Sequence, residues 1–415
     1  MKNTNKKILV SILAGAMLLT SATAVSAASV WGGRSSSMMG TMGGMTETYV
    51  SKANALSYAD LTGGIVNSED LFSKRDLKQE ADLSEASCIT AEDGQTIRIT
   101  SEGVYVLTGT ASNCTVRIEA DKEAKIQLVL DGVSIVNDDF PAIYVVSADK
   151  VFVTTTENSE NALTVTGTFK ADGETNTDAV IFSKEDLVLN GKGTLTVTSA
   201  KGNGITSKDD LIITGGTLNV TAALDSLEAN DSIVIYDGNI TVDSKKDGLH
   251  AENDEDDSLG YIWIGGGTLS VTASDDAIHG TSFVQVDGGT VTVSGAEGIE
   301  GTYIQVNGGE ITVTGTDDGI NGANKSSAYE TAVEIAGGTL NVTVGQGDTD
   351  AIDSNGNIYV TGGTINITAS GSFDYDGTAT YTGGTIIVNG QTVNSITNSM
   401  MGGGMMGGMQ MSGRR

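Results

Sequence analysis

The sequence predicts an all-β fold, a right-handed parallel β-helix with three strands per coil and coils of about 22 residues. Three observations predict it. The first is a repeat: a Gly followed by a short β-branched run recurs at Gly193, Gly216, Gly238, Gly267, Gly289, Gly309, Gly338, Gly363 and Gly384. The steps between these glycines are 23, 22, 29, 22, 20, 29, 25 and 21 residues, so most lie near 22 and the two longest carry local insertions. The second is alternation within each unit, as in Thr217-Leu218-Asn219-Val220-Thr221, which gives a strand one apolar and one polar face. The third is composition: 55 Gly against a single Pro supplies tight turns between strands and excludes a Pro-rich stalk or collagen.

One unit cannot bury its few apolar side chains alone, but units stacked about 4.8 Å apart can. Three inward ladders line up. The first is Leu195, Leu218, Ile240, Leu269, Val291, Ile311, Leu340, Ile365 and Ile386. The second is Val180, Ile205, Leu227, Leu249, Ile278, Ile299, Ile320, Ile352 and Tyr375. The third is Leu189, Ile213, Ile235, Ile264, Val286, Val306, Ile335, Val360 and Tyr381. Three ladders mean three strands per coil, and the right-handed winding follows from the handedness of parallel crossovers.

From the start of the chain, residues 1–27 read as a secretory signal: Lys2, Lys6 and Lys7, an apolar run from Ile8 to Leu19, and Val25-Ser26-Ala27 before the cut. The expected location is secreted or cell-surface associated. Residues 28–83 combine a low-complexity stretch with a leader carrying Leu56, Leu61, Leu71, Phe72 and Leu77, expected to hold one or two short helices. The β-helix is expected over 84–396, its first coils to about 170 being irregular and shielding the open edge. A Gly/Met-rich tail fills 397–415. No second hydrophobic stretch after the signal is long enough to span a bilayer.

The formal charge is −30, and loss of the three signal lysines makes it −33. So acidic a chain excludes nucleic acid and anionic lipid as partners, and repels acidic polysaccharide unless a cation intervenes. The chain is expected to be a monomer. Pairing of its two cysteines, Cys88 and Cys114, is left open.

Just before the second ladder an acidic or amide residue recurs: Asp178, Asn203, Asp225, Asp247, Asp276, Glu297, Asp318 and Asp350. Two carboxylates about 5 Å apart repel by about 1 kcal/mol in water and by about 3–4 kcal/mol at an effective dielectric of 20. Such a row needs cations or backbone donors. Just after the ladder comes a second polar column of Glu228, His250, His279, Glu300, Asn321, Asp353 and Asp376, which holds both histidines of the chain in adjacent coils. Hard oxygens at several heights suit calcium. The expected ligands are Asp225, Glu228, Asp247, Asp276, Glu297, Glu300, Asp317, Asp318, Asp350 and Asp353, with the acidic insertion Glu252–Asp257 opening beside His250. His250 and His279 are expected to donate to neighbouring carboxylates and to help bind ligand, since no cysteine or third imidazole accompanies them for zinc.

On the outer face of the third strand, Val188, Ile212, Val234 and Trp263 are apolar: the leader is expected to cover Val188 to Val234, and Trp263, at the polar margin, is open to either packing or sugar contact. Trp263 and Tyr359 are the candidate sugar-stacking residues. Aromatics are only 5% of the chain, too few for a broad platform against crystalline cellulose. The outward threonine column (Thr194, Thr217, Thr268, Thr290, Thr339, Thr364, Thr385) reflects ordinary β-propensity and breaks at Asn239 and Glu310, which argues against ice binding.

Together, Asp70-Leu71-Phe72-Ser73-Lys74-Arg75-Asp76-Leu77, Gly103-Val104-Tyr105-Val106-Leu107-Thr108-Gly109-Thr110, Gln127-Leu128-Val129-Leu130-Asp131-Gly132-Val133, Asp247-Gly248-Leu249-His250-Ala251, Asp275-Asp276-Ala277-Ile278-His279 and Asp317-Asp318-Gly319-Ile320-Asn321 carry a resemblance. Over roughly 68–400 the chain resembles the clostridial carbohydrate-binding β-helix family, exported proteins related in fold to pectate lyases that bind cellulose and acidic sugars. The resemblance implies a right-handed β-helix, bound calcium and no catalysis. The expected function is therefore calcium-dependent binding of plant cell-wall or acidic polysaccharide. The alternatives are a calcium-dependent pectate-type lyase, with Lys208, Lys245 or Lys246 as base, and a structural surface adhesin.

Overall fold

The computed structural model describes residues 55–61, 63–347 and 349–399. The signal, the low-complexity stretch after it and the Gly/Met-rich tail from residue 400 onward lie outside them, as does Asp348. Along most of the described chain each strand pairs in parallel with the strand one coil further on. Thr194–Ser199 pairs with Thr217–Ala222, and that with Asn239–Ser244. Between consecutive members of this sheet come one strand of a second sheet and one of a third, so three sheets enclose a single core. This is the parallel β-helix with three strands per coil. The last pairing is antiparallel: Gln391–Val393 folds back on Thr385–Val388.

The first and third ladders keep the register that the repeat implies, from Leu195 to Ile386 and from Leu189 to Tyr381. The second keeps it from Ile205 to Ile352 and departs at both ends. Ile205 stands over Ile181, not Val180, and Ile352 meets Phe373, not Tyr375. The first departure follows the irregular connection 166–178, and at the second the two-residue bend 369–370 brings Phe373 into the place counted for Tyr375. With them Ala179 takes the place expected for Asp178 opposite Asn203. Ladder side chains are almost wholly enclosed, Leu249, Ile278 and Ile299 at 0% exposed. Burying each contributes about 1.5–3 kcal/mol, and each touches the coils above and below.

The leader straps the outer face of the third sheet, running counter to the coil order. Leu56 forms a parallel bridge with Tyr329, its N–H donating to Ala328 O and its carbonyl accepting from Glu330 N. Further on, Gln285 Oε1 accepts from Ile65 N and Val66 N. One helical turn, Ser68–Leu71, is capped by Asn67, and Phe72 then lies 5.5 Å from Trp263. Asp76 O accepts from Thr214 Oγ1, and Arg75 sits over the Phe152 ring. The strap thus buries Phe152, Val188, Ile212, Val234 and Trp263, the cover the apolar column requires.

Both 29-residue coils spend their extra residues at one corner, between the second sheet and the third. The first insertion separates Leu249–Ala251 from Tyr261–Ile264, and the second separates Ile320–Gly322 from Ala332–Ile335. Between them lie two coils in which a single strand, Ile278–Val286 or Ile299–Val306, runs through both sheets. The insertions meet across those coils, where Ser326 Oγ donates to Asp257 O at 2.6 Å. Cys88 is an exposed free thiol and Cys114 a buried one, so the two do not pair. Among the described residues no helix is long and apolar enough to cross a membrane.

Candidate functional site

The acidic column sits where each strand of the second sheet begins, and the next residue is small: Gly248, Ala277, Gly298, Gly319, Ala351. Space decides this, since a Cβ on Gly319 would lie 2.6 Å from Ala351 O. The polar residue before it closes the strand entry of the following coil. Asn203 Oδ1 accepts from Asp225 N at 3.1 Å, Asp225 Oδ1 from Asp247 N at 3.0 Å, and Asp247 Oδ1 from Asp276 N at 3.1 Å. Further along, Asp318 Oδ1 accepts from Asp350 N at 2.7 Å. One oxygen of Asp225, of Asp247 and of Asp318 is thus held by the backbone, and the other oxygen of the first two meets Lys246 and His250.

Outward on the same sheet runs a continuous strip, Phe182, Thr206, Glu228, His250, His279, Glu300, Asn321 and Asp353, each beside the next. Asp374, not Asp376, continues it, because Ile352 pairs with Phe373. The two imidazoles are half-buried, with ring centroids 4.9 Å apart. His250 Nδ1 lies 3.4 Å from Asp225 Oδ2 and 3.6 Å from Asp247 Oδ2. His279 Nδ1 lies 3.2 Å from Asp276 Oδ2 and 3.4 Å from Glu300 Oε2.

Two lysines balance part of this charge. Lys246 Nζ reaches Asp225 Oδ2 at 2.9 Å, and Lys325 Nζ reaches Glu300 Oε2 at 2.5 Å and lies 3.5 Å from His279 Nε2. Lys325 belongs to the second insertion. The chain length of a 29-residue coil signals such an excursion, but not that its lysine returns to the histidines.

Burial opposes charge on His250, yet the Asp225 hydrogen bond prevails and raises its pKa. On His279 burial dominates, joined by Lys325 and His250, and outweighs Glu300 to bring it down to about 4. The pair thus splits, His250 shifted toward the charged form and His279 toward the neutral one, as stacked like charges require. Burial, then Glu300, pushes Glu297 up to about 8. Burial, then the Asp225 charge, raises Asp247, and burial raises Asp276. Asp225 goes the other way: burial would raise it, but hydrogen bonds from His250 and Lys246 hold it below the usual carboxylate range.

Asp247, His250 and His279 each offer a ligand atom within 4.8 Å of the others, and so do Asp276, His279 and Glu300. Glu297 Oε2 is buried with no hydrogen-bond partner among the described residues. Asp225, Asp247, Asp276, Glu297 and Glu300 are five acids facing two lysines. This set fits a divalent cation. Glu228 is less available than expected, because its carboxylate is taken up by Asn203, Thr206 and Lys208 at 2.6–3.2 Å. Asp318, Asp350 and Asp353 lie further along the same edge, where burial raises Asp318 to about 6 and Asp353 to about 7. Asp317 is exposed at a turn and joins no such cluster among the described residues. Alongside His250 a groove of about 430 Å³ is lined by Lys208, Glu228, Asp231, Glu252 and Asn253.

Trp263 and Tyr359 do not belong to this strip. Trp263 is 2% exposed under the strap, its Nε1 donating to Asp287 Oδ2 at 2.8 Å, so its ring cannot stack on a sugar. Tyr359 is half-buried and stacks on Tyr58 of the strap at 4.2 Å. A third acidic group, Asp186, Asp209 and Asp210, escaped notice in the sequence because its members precede the third ladder, not the second.

A family described as carbohydrate-binding domain-containing protein matches residues 93–301 and 294–401. This chain belongs to that family. A carbohydrate-binding domain-containing protein of Acetivibrio thermocellus is 34% identical over 170 residues, 40% of this chain and 58% of the relative, so the chain matches just over half of that protein's length. A solved structure described as the polysaccharide lyase-like protein from C. thermocellum, a gadolinium derivative, is 30% identical and covers 54% of this chain and 92% of its own, with a TM-score of 0.47. The carbohydrate-binding family's match takes in every coil that carries the acidic column and the histidine strip.

Proposed function

We propose that the protein is a secreted, non-catalytic binder of acidic polysaccharide that holds its ligand through calcium on the strip of the second sheet. The observation that carries this reading is a continuous polar strip with excess carboxylate, in a chain of the carbohydrate-binding family. Asp247, Asp276, Glu297 and Glu300 would hold the ion. Calcium, when bound, supplies a shell that takes oxygens from protein and uronate together. The bond from Asp276 N fixes Asp247, strand register sets the others one coil apart, and Lys246 and Lys325 limit their repulsion. The groove beside His250 gives a sugar chain a place to lie.

The geometry favours binding over lyase chemistry. A lyase needs a base with a pKa near the working pH. Lys208, Lys246 and Lys325 are each ion-paired, Lys246 with its pKa raised despite burial, and His279 at about 4 is too weak a base. Carbohydrate arrays with calcium and with chelator test the reading. Signal on uronate polymers in calcium alone is expected, and signal unchanged by chelator would contradict it. Growth of unsaturated-product absorbance on pectate would move the protein to the lyases.

A further inference from the structure

The acidic strip leaves unexplained an exposed aromatic ring at a different corner, where the third sheet turns into the first. We propose that Tyr236 marks a second sugar subsite, one that takes a neutral pyranose ring without calcium. The proposal rests on the carbohydrate-binding reading but not on the acidic strip.

Tyr236 is 44% exposed, and among the described residues it is the one aromatic of the five large hydrophobic side chains open to solvent. Phe72 of the strap braces it at 5.3 Å and 70° without covering it. Beside it lies a space of about 410 Å³ lined by Tyr236, Asp237, Trp263, Asp287, Ser68 and the turn Gly265-Gly266-Gly267, a size that suits a small ligand. The turn's bare floor follows from stacking: a Cβ on Gly266 would come within 2.7 Å of Tyr236 O, and Gly267 has φ +76°. No side chain therefore rises from the floor opposite the tyrosine.

The chemistry of the lining selects the ligand. A pyranose has an apolar C–H face and a rim of hydroxyl donors, which match an aromatic ring and a carboxylate acceptor. Asp237 is exposed and uses one oxygen on Gly238 N at 2.8 Å, leaving the other for a hydroxyl. Asp287 cannot serve, since Trp263, Gln285 and Asn307 occupy both its oxygens. No Lys, Arg or His lines the space, so nothing there compensates an anionic sugar. A single ring suits one sugar unit of a soluble chain, not a crystalline face.

Isothermal titration of the exported protein with cellohexaose and with mannohexaose, both in chelator, tests this. Wild type is expected to bind at least one of them. Tyr236→Ala should bind at least tenfold more weakly, Tyr236→Phe within threefold of wild type, and Asp237→Ala, on an exposed turn with little effect on folding, at least threefold more weakly. Retention of Tyr236→Ala on polygalacturonate in calcium should stay within twofold. Wild type silent with both hexasaccharides, Tyr236→Ala binding like wild type, or Tyr236→Phe failing as badly as Tyr236→Ala would each overturn the proposal. Failure on neutral sugar with acidic-glycan retention intact removes this subsite alone, whereas failure on both removes the carbohydrate-binding reading itself.

Discussion

At the scale of single residues, burial decides what a side chain can do. Ile278 is 0% exposed between Leu249 and Ile299, whereas Thr290 faces solvent in the same coil. Ile278→Asp leaves an uncompensated charge in the core, a penalty of about 3–5 kcal/mol, and Thr290→Asp leaves none. Exported yield should collapse for the first and hold for the second; equal yields would mean the register is wrong. The histidines separate similarly. In chelator, proton NMR should show His279 titrating near 4 and His250 above 6.5, and two ordinary titrations near 6.5 would dissolve the stacked pair. Alternation alone made both Ile278 and the histidine register legible. That Trp263 is shut away under Phe72 was not legible, because a strand pattern shows which face a residue takes and not what covers it.

At the scale of elements, two pieces of the fold are set by contacts far apart in sequence. The strap was expected over Val188 to Val234, yet its path depends on Gln285, whose side chain binds Ile65 N and Val66 N some 220 residues away. No local pattern in 55–80 announces that partner. Ile65 is 6% exposed, and Ile65→Ala should cost about 2–5 kcal/mol of local stability. Protease cleavage within 55–80 should rise while the coils keep their main melting transition; loss of both together would make the strap part of the cooperative core. The second ladder was legible between Ile205 and Ile352 and slipped at Val180, beyond the irregular connection 166–178, and at Tyr375, where a short bend at 369–370 puts Phe373 in its place. Lys325 was missed for a related reason: an insertion's length is visible in the repeat, but its return path is set by Ser326 meeting Asp257.

At the scale of the whole molecule, a −30 chain stacks its acids at one coil spacing, where burial favours the protonated form of several of them. Burial brings Asp209 and Glu297 to about 8 and Asp210 and Asp353 to about 7, all above their values in the unfolded chain. The folded state therefore binds protons more tightly. That contribution to stability is complete below about pH 4 and is lost as pH rises through 7 and 8. His279, depressed to about 4, opposes this below its unfolded value of about 6.5, but it is one group against four. In chelator the melting temperature should rise from pH 8.5 to pH 6, and a fall over that range would contradict the buried-acid assignment. Added calcium should weaken the trend, because it competes with the proton on Glu297, the one proposed ligand among these four acids, and stabilises the native state by mass action.

The central claim is that carboxylates fixed by the Asp ladder hold an acidic glycan through calcium. The most direct test is isothermal titration of wild type and of Asp247→Asn with Asp276→Asn, using a galacturonate oligomer in calcium and then in chelator. Asp247→Asn keeps an oxygen for the bond from Asp276 N, and among the described residues the Asp276 side chain accepts no backbone bond that an amide would break, so the fold should persist while the ligand oxygens are lost. Binding by wild type in calcium, its loss in chelator, and at least tenfold weaker binding by the double variant in calcium is the result expected. Equal affinity of wild type and variant, or wild-type binding that survives chelator, would contradict it.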